Sequence, residues 1–293
     1  MRHINEEMMD AFLKGDLNPL LVAVQNDDTL DLELRGDSVN IYYRGGRLFH
    51  IEGKNSKVSS SYEIFFDTNY CKCGGKALKG KLTCNEAVEE LPYYKQAMDL
   101  WFHKNPKYER EFQQLIAREN NSHGKISNAT DYFIADIEYV DESSRFDMVA
   151  LKWKSKGAER KNNTKPSLAL IEVKYGDGAL DGKAGIKKHL EDFKIFLRDK
   201  DKVKALCNDM SEVFKQKCQL GLVDHLKDHQ HDVKISPENP EVIFILANHD
   251  PDSNILDGIL SQINPLDYDF PIKIAKSSNM GYGLYVDCLE EIS

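Results

Sequence analysis

A disulfide framework, a membrane span and an overall basic charge are all missing from this chain, and each absence removes a class of function. The six cysteines (71, 73, 84, 207, 218 and 288) are too sparse and irregular over 293 residues for a small disulfide-stapled secreted domain, which favours a reducing compartment. The opening MRHINEEMMDAFLKGDL has acids within its first ten residues and no apolar run of signal-peptide length, and no later stretch approaches a membrane span. These shortages predict a cytoplasmic protein with no membrane partner. The formal charge of -9 argues against a protein that coats polyanions in general. There is no internal repeat.

Net charge hides its distribution. Between Arg145 and Lys204 stand 16 Lys and Arg against 9 Asp and Glu, a local balance of +7 that leaves -16 for the remainder. A basic surface beside acidic residues suits a phosphodiester-cutting site, because phosphate attraction and metal binding call for opposite signs. Lysines that merely solubilise one loop and one helix would give the same count. With 41% hydrophobic residues the chain can build a core, as one large domain or two ordinary ones.

Residues 1–90 read as an antiparallel β-rich module. The runs LLVAVQ, TLDLELR, VNIYYR, RLFHIE and SYEIFF are separated by the turn signals NDD, GDS and GG. Gly45 and Gly46 suit a two-residue hairpin turn, flanked by Arg44 and Arg47, which either grip phosphate or are solvated edge charges. Cys71, Cys73 and Cys84, with His50 or His103 as a fourth ligand, lack the paired C-x2-C spacing of structural zinc sites. His225, His229 and His231 likewise lack a placed third ligand and read as a solvated helix face.

Residues 91–293 alternate helical and strand patterns. A helical stretch over 87–121 carries Tyr108, Phe112, Leu115 and Ile116 on one stripe, with Glu111 at its border. Strands follow at 132–140, with Asp136 and Glu138 on one face, and at 145–153, where Asp147 interrupts an apolar run. The polar stretch 154–166 has loop composition. After the strand at 168–176 and a glycine-rich loop, Ile186, Leu190, Phe193 and Leu197 predict a helix with His189 beside the stripe. A central strand at 241–249, a helix near 253–263 and strands near 271–276 and 282–288 complete the pattern.

The strand LALIEVKYG, Leu168 to Gly176, carries the chemistry. Alternation puts Glu172 and Lys174 on one face of an otherwise apolar strand. Burying either charge alone is costly, so the pair needs each other, a metal or a solvent-filled cleft. A structural ion pair and a functional site both meet that need.

RFDMVAL followed by LALIEVKYG and a helix resembles the PD-(D/E)XK nuclease superfamily, over roughly residues 106 to 250. The resemblance implies a restriction-endonuclease-like α/β domain, a mixed central sheet flanked by helices. It also implies a nuclease acting on nucleic acid, DNA more than RNA, with Mg2+ as cofactor, Mn2+ as a substitute, and a homodimer as a partner state. By the same resemblance Asp147 is the first acid, Glu172 the second and Lys174 the lysine. Glu111 is the helix acid, with Glu109 and Glu119 as alternatives, and Phe146 stands where the pattern carries a residue such as proline. Asp147, Glu172 and the Val173 carbonyl would hold the metal, and Lys174 would orient or deprotonate water; His189 either contributes from the following helix or is a core-edge histidine bonded to backbone, and Asp136 is either an auxiliary acid or, with Glu138, part of an exposed strand face. The alternatives are a catalytically inactive module of the same fold that binds nucleic acid or protein, and an unrelated α/β protein with a surface ion-pair cluster.

Overall fold

A computed structural model describes residues 1–54, 61–73, 77–121, 130–140, 144–154, 165–223, 233–250, 252–277 and 289–292. The architecture is mixed α/β, with two sheets in two compact units. The first unit comprises Met1–Gln114 with Gln216–Asp228, and the second Leu115–Lys215 with His229–Ser293.

The first unit opens with helices α1 (Glu6–Leu13) and α2 (Asn18–Gln25) and continues as an antiparallel sheet. Its strands are β1 (Leu30–Leu34), β2 (Ser38–Tyr43), β3 (Gly46–Lys54), β4 (Ser61–Phe65) and β5 (Lys81–Leu82), paired in that order. The run LLVAVQ, expected as a strand, is α2. Buried Leu17, Leu20, Leu21 and Val24 repeat at helical spacing, and Pro19 occupies the first turn, where its missing N–H costs nothing.

Helices α3 (Cys84–Glu89) and α4 (Leu91–Lys104) follow, α3 starting in a capping box between Thr83 and Glu86. The unit boundary falls after Gln114 rather than after residue 90, because α4 belongs to the first core. Its Tyr94 lies edge-on to Phe49 and Phe66, with Phe102 beside Tyr70. The expected single helical stretch over 87–121 is the end of α3, then α4, then α5 (Tyr108–Asn121), which crosses the division.

The hairpin turn between β2 and β3 uses Arg44 and Gly45, both at positive φ (53° and 70°), rather than the glycine pair. Gly45 donates its N–H to Gln114 Oε1 at 2.5 Å, and a Cβ there would lie 2.2 Å from the Arg110 carbonyl oxygen. Arg44 grips carboxylates instead of phosphate: Nη1 lies 3.0 Å from Asp99 and Nη2 3.1 Å from Glu111. His50 bonds Asn40, and Cys71 and Cys84 are free thiols. The Cys73 side chain and His225, His229 and His231 lie outside the described residues.

The second unit is built on a six-stranded mixed sheet ordered β11-β10-β9-β8-β7-β6. β6 (Tyr132–Val140), β7 (Arg145–Lys152) and β8 (Ser167–Tyr175) form an antiparallel meander. β9 (Ser236–Ala247) lies parallel to β8, β10 (Ile272–Ser277) parallel to β9, and β11 (Glu290–Glu291) antiparallel at the edge. Central β8 is buried on both faces over 168–174 and β9 over 240–247, as strands covered on both sides must be.

Helix α6 (Ile186–Arg198) buries Ile186, Leu190, Phe193 and Leu197 as expected, and Phe196 besides. Helix α7 (Lys200–Gln219) follows and crosses the division, and α8 (Ile255–Leu260) precedes β10. The expected strand at 282–288 and residues 155–164 of the polar stretch lie outside the described residues. Among the described residues no helix is long and apolar enough to cross a membrane.

Candidate functional site

Glu172 and Lys174 share a face of β8, and both side chains are only 5% exposed. Lys174 Nζ lies 2.7 Å from Glu172 Oε1. His189, in the first turn of α6, brings Nε2 to 3.0 Å from the same oxygen. It arrives there because β8 ends in a compact loop of two 3-10 turns, Asp177–Ala179 and Gly182–Ala184, which delivers α6 onto this face of the sheet. One turn beyond His189, Phe193 packs edge-on against Phe244, the β9 residue paired with Glu172.

Asp147 reaches the same stretch differently. The β7–β8 ladder runs as far as Met148 opposite Ile171, and there Asp147 takes over: its Oδ2 accepts the Val173 N–H at 2.8 Å. The carboxylate thus sits against the backbone of the residue between Glu172 and Lys174. Val173 is fully buried and paired with Ile245, and Asp136 is buried on β6 opposite Val149. Asp147, Val173, Glu172, Lys174 and His189 are therefore linked by close polar contacts or chain adjacency.

Glu111 belongs to another cluster. In the first unit its two carboxylate oxygens take the Arg44 guanidinium, whose other arm holds Asp99. Burial of Arg44 opposes its charge, but the bonds to Asp99 and Glu111 raise its pKa further. Tyr43 donates to Asp99, and burial together with that carboxylate pushes its hydroxyl up to about 12. These contacts pin the β2–β3 hairpin to α4 and α5. Of the two alternatives, Glu109 lies in the first unit and Glu119 in the second.

Among the described residues no group of three or more His, Cys, Asp or Glu is arranged to hold a metal ion. Mg2+ asks for less: one or two carboxylates, with waters for the rest. Lys174 and His189 both use Oε1 of Glu172, and no described residue bonds Oε2. Asp147 and Glu172 thus supply hard oxygen donors on neighbouring strands, and by the chemistry of this donor set they fit Mg2+.

Two further clusters of the second unit carry weak sequence signals. Glu241 opens the apolar run EVIFILA and takes Tyr132 Oη on Oε1, with Lys152 (2.7 Å) and Lys273 (3.2 Å) on Oε2. Asp177, just past the end of β8, meets His249, just past the end of β9, at 2.8 Å. An acid at the head of a greasy strand and a His-Asp pair at the foot of the same strand are visible in the sequence, but their partners are not.

The chain matches no protein-family model, no curated protein sequence and no solved structure.

Proposed function

We propose that the second unit is a Mg2+-dependent nuclease of restriction-endonuclease-like type. The observation that carries the reading is the convergence on β8. A buried Glu172 holds Lys174 and His189 on one oxygen and offers the other, with Asp147 docked on the adjoining backbone. The order of elements also supports it: α5, the antiparallel meander β6–β7–β8, α6, then β9 parallel to β8, as the resemblance in RFDMVAL and LALIEVKYG leads one to expect.

In this reading Asp147, Glu172 and the Val173 carbonyl would hold Mg2+, which would supply counter-charge for the phosphate oxygens and Lewis acidity toward water. Lys174 holds or deprotonates the attacking water and faces the phosphate. His189 keeps Glu172 oriented through the 3.0 Å contact. The local +7 balance between Arg145 and Lys204 draws the polyanion toward this unit. DNA is the expected substrate ahead of RNA, with self-association as an expectation of the resemblance alone.

A second reading is a binding module of the same fold without turnover. The 2.7 Å Lys174–Glu172 contact favours it, because the two charges already neutralise each other as a structural pair would. Incubating the chain with plasmid, linear and single-stranded DNA and with RNA, in Mg2+, Mn2+ or EDTA, separates the two. Metal-dependent cutting should fall by about a hundredfold or more in Lys174→Ala, the scale for loss of a general acid or base. Identical behaviour of wild type and variant on every substrate removes the catalytic reading. Retention of nucleic acid by both, without cutting, leaves the binding module.

A further inference from the structure

We propose that His249, held by Asp177, is a second catalytic group of this unit, the general acid that protonates the leaving oxygen of the phosphodiester. The proposal rests on the nuclease reading above and adds a residue to it.

β8 and β9 run parallel and end together: Tyr175 pairs with Ala247, and the Gly176 N–H donates to the Ala247 carbonyl at 2.8 Å. Both strands therefore hand their chains to loops at the same end of the sheet. Each strand delivers one residue into this position. Asp177 follows β8 and His249 follows β9, and the Nδ1 to Oδ1 distance is 2.8 Å.

The pair is oriented rather than loose. Asp177 also accepts the Asp250 N–H at 3.3 Å, and the side chains of the pair are 11% and 9% exposed. Burial disfavours the Asp177 carboxylate, yet the neighbouring Ser253 and His249 side chains hold its pKa below the usual range, so it stays an acceptor. An acceptor at Nδ1 fixes the tautomer, which makes Nε2 the nitrogen that exchanges protons with a ligand. No described residue bonds Nε2 of His249.

The loop that carries Asp177 is not crowded at its first three glycines. A Cβ added at Gly176, Gly178 or Gly182 would meet nothing within 4 Å. Asp177 is three residues from Lys174, at most about 11 Å of extended chain, which keeps the pair near the end of β8 that carries Lys174. Lys174 serves the attacking water, but hydrolysis also needs a proton on the departing alkoxide, and no residue named above supplies one. In the proposed step the water oxygen bonds phosphorus as the ester P–O bond breaks. The bonding pair leaves with the ester oxygen, which takes the proton from Nε2. His249 is left neutral with its proton on Nδ1 against Asp177. The proton of the attacking water passes to solvent, from which Nε2 is reprotonated.

The test uses the full chain in Mg2+ with two substrate types: nucleic acid (plasmid DNA and RNA) and bis(4-nitrophenyl) phosphate, whose nitrophenolate leaves without a proton. His249→Gln should lose about a hundredfold or more on nucleic acid, the usual scale of general-acid catalysis, and stay within about threefold of wild type on the nitrophenyl ester. Asp177→Asn, altering only a positioning residue, should show the same split at smaller size. Wild-type rates for His249→Gln on nucleic acid overturn the proposal while leaving the nuclease reading intact. Equal losses on both substrates assign the pair a latching role between two loops and overturn it as well. A wild type inert on both substrates removes the nuclease reading and this inference with it.

Discussion

Glu172 and Glu241 are buried carboxylates of one sheet, each met by two basic side chains, and they are bonded in opposite ways. Glu241 is saturated. Tyr132 holds one oxygen, Lys152 and Lys273 hold the other, and the donors come from three different strands. Glu172 concentrates Lys174 and His189 on one oxygen and leaves the second unbonded by any described residue. Pairing of Ala169 with Glu241 and of Glu172 with Phe244 puts the two carboxylates on opposite faces. A carboxylate that ties strands together needs every lone pair satisfied, because burial makes an unmet one expensive. A carboxylate that binds something must keep an oxygen in hand.

The largest effect that separates the two is the loss of Glu241. Glu241→Ala leaves Lys152 and Lys273, 7% exposed, with only the exposed Glu291, 3.8 Å from Lys273, as a counter-charge, and it strips Tyr132 of its acceptor. Removing one partner of a buried ion pair costs about 3–5 kcal/mol, readable as a fall in urea unfolding free energy. The Tyr132 pKa, raised by burial and by the Glu241 charge, should fall toward its ordinary value in the variant if the ring stays placed. A cost under about 1 kcal/mol would erase the distinction drawn here, since surface pairs are worth that little.

A smaller effect points the other way. If Glu172 Oε2 and Asp147 take Mg2+, the folded state gains about 2.7 kcal/mol at a hundredfold excess over Kd, measured as a rise in Tm on adding the ion. Asp147→Asn should abolish that rise, whereas Glu241→Gln should keep it from a lower starting Tm. Loss of the rise in Glu241→Gln alone would relocate the metal to the other face.

What the sequence made legible follows the range of the interactions. The alternation that puts Glu172 beside Lys174 and the Ile186–Leu190–Phe193–Leu197 stripe are local patterns, and both are in the structure. LLVAVQ was ambiguous because a short apolar run carries either period, and only Leu17 and Pro19, just upstream, tip it to helix. Glu111 at the edge of a stripe announces a burial boundary, not a partner. Arg44, 67 residues earlier, claims it through a hairpin whose docking no local signal encodes. Glu241 with Tyr132 and Asp177 with His249 are joined across 109 and 72 residues by strand register, which the sequence does not state.

The smallest effect concerns Asp177 itself, and it sharpens the contrast between an oxygen that anchors and one that serves. Its pKa is lowered in the folded chain, with Ser253 and His249 outweighing the burial that opposes the charge. A depressed carboxyl contributes stability that is fully present above its unfolded value of about 3.9 and is lost as pH falls through the folded value. Between neutral pH and about 5 the Asp177–His249 link should therefore hold unchanged, and below about 4 it should loosen. Following the Asp177 carboxyl carbon and the His249 ring protons by NMR across this range tests it. If the His249 ring signals stay fixed as Asp177 takes its proton, Asp177 does not hold the imidazole, and the histidine is placed by the loop alone.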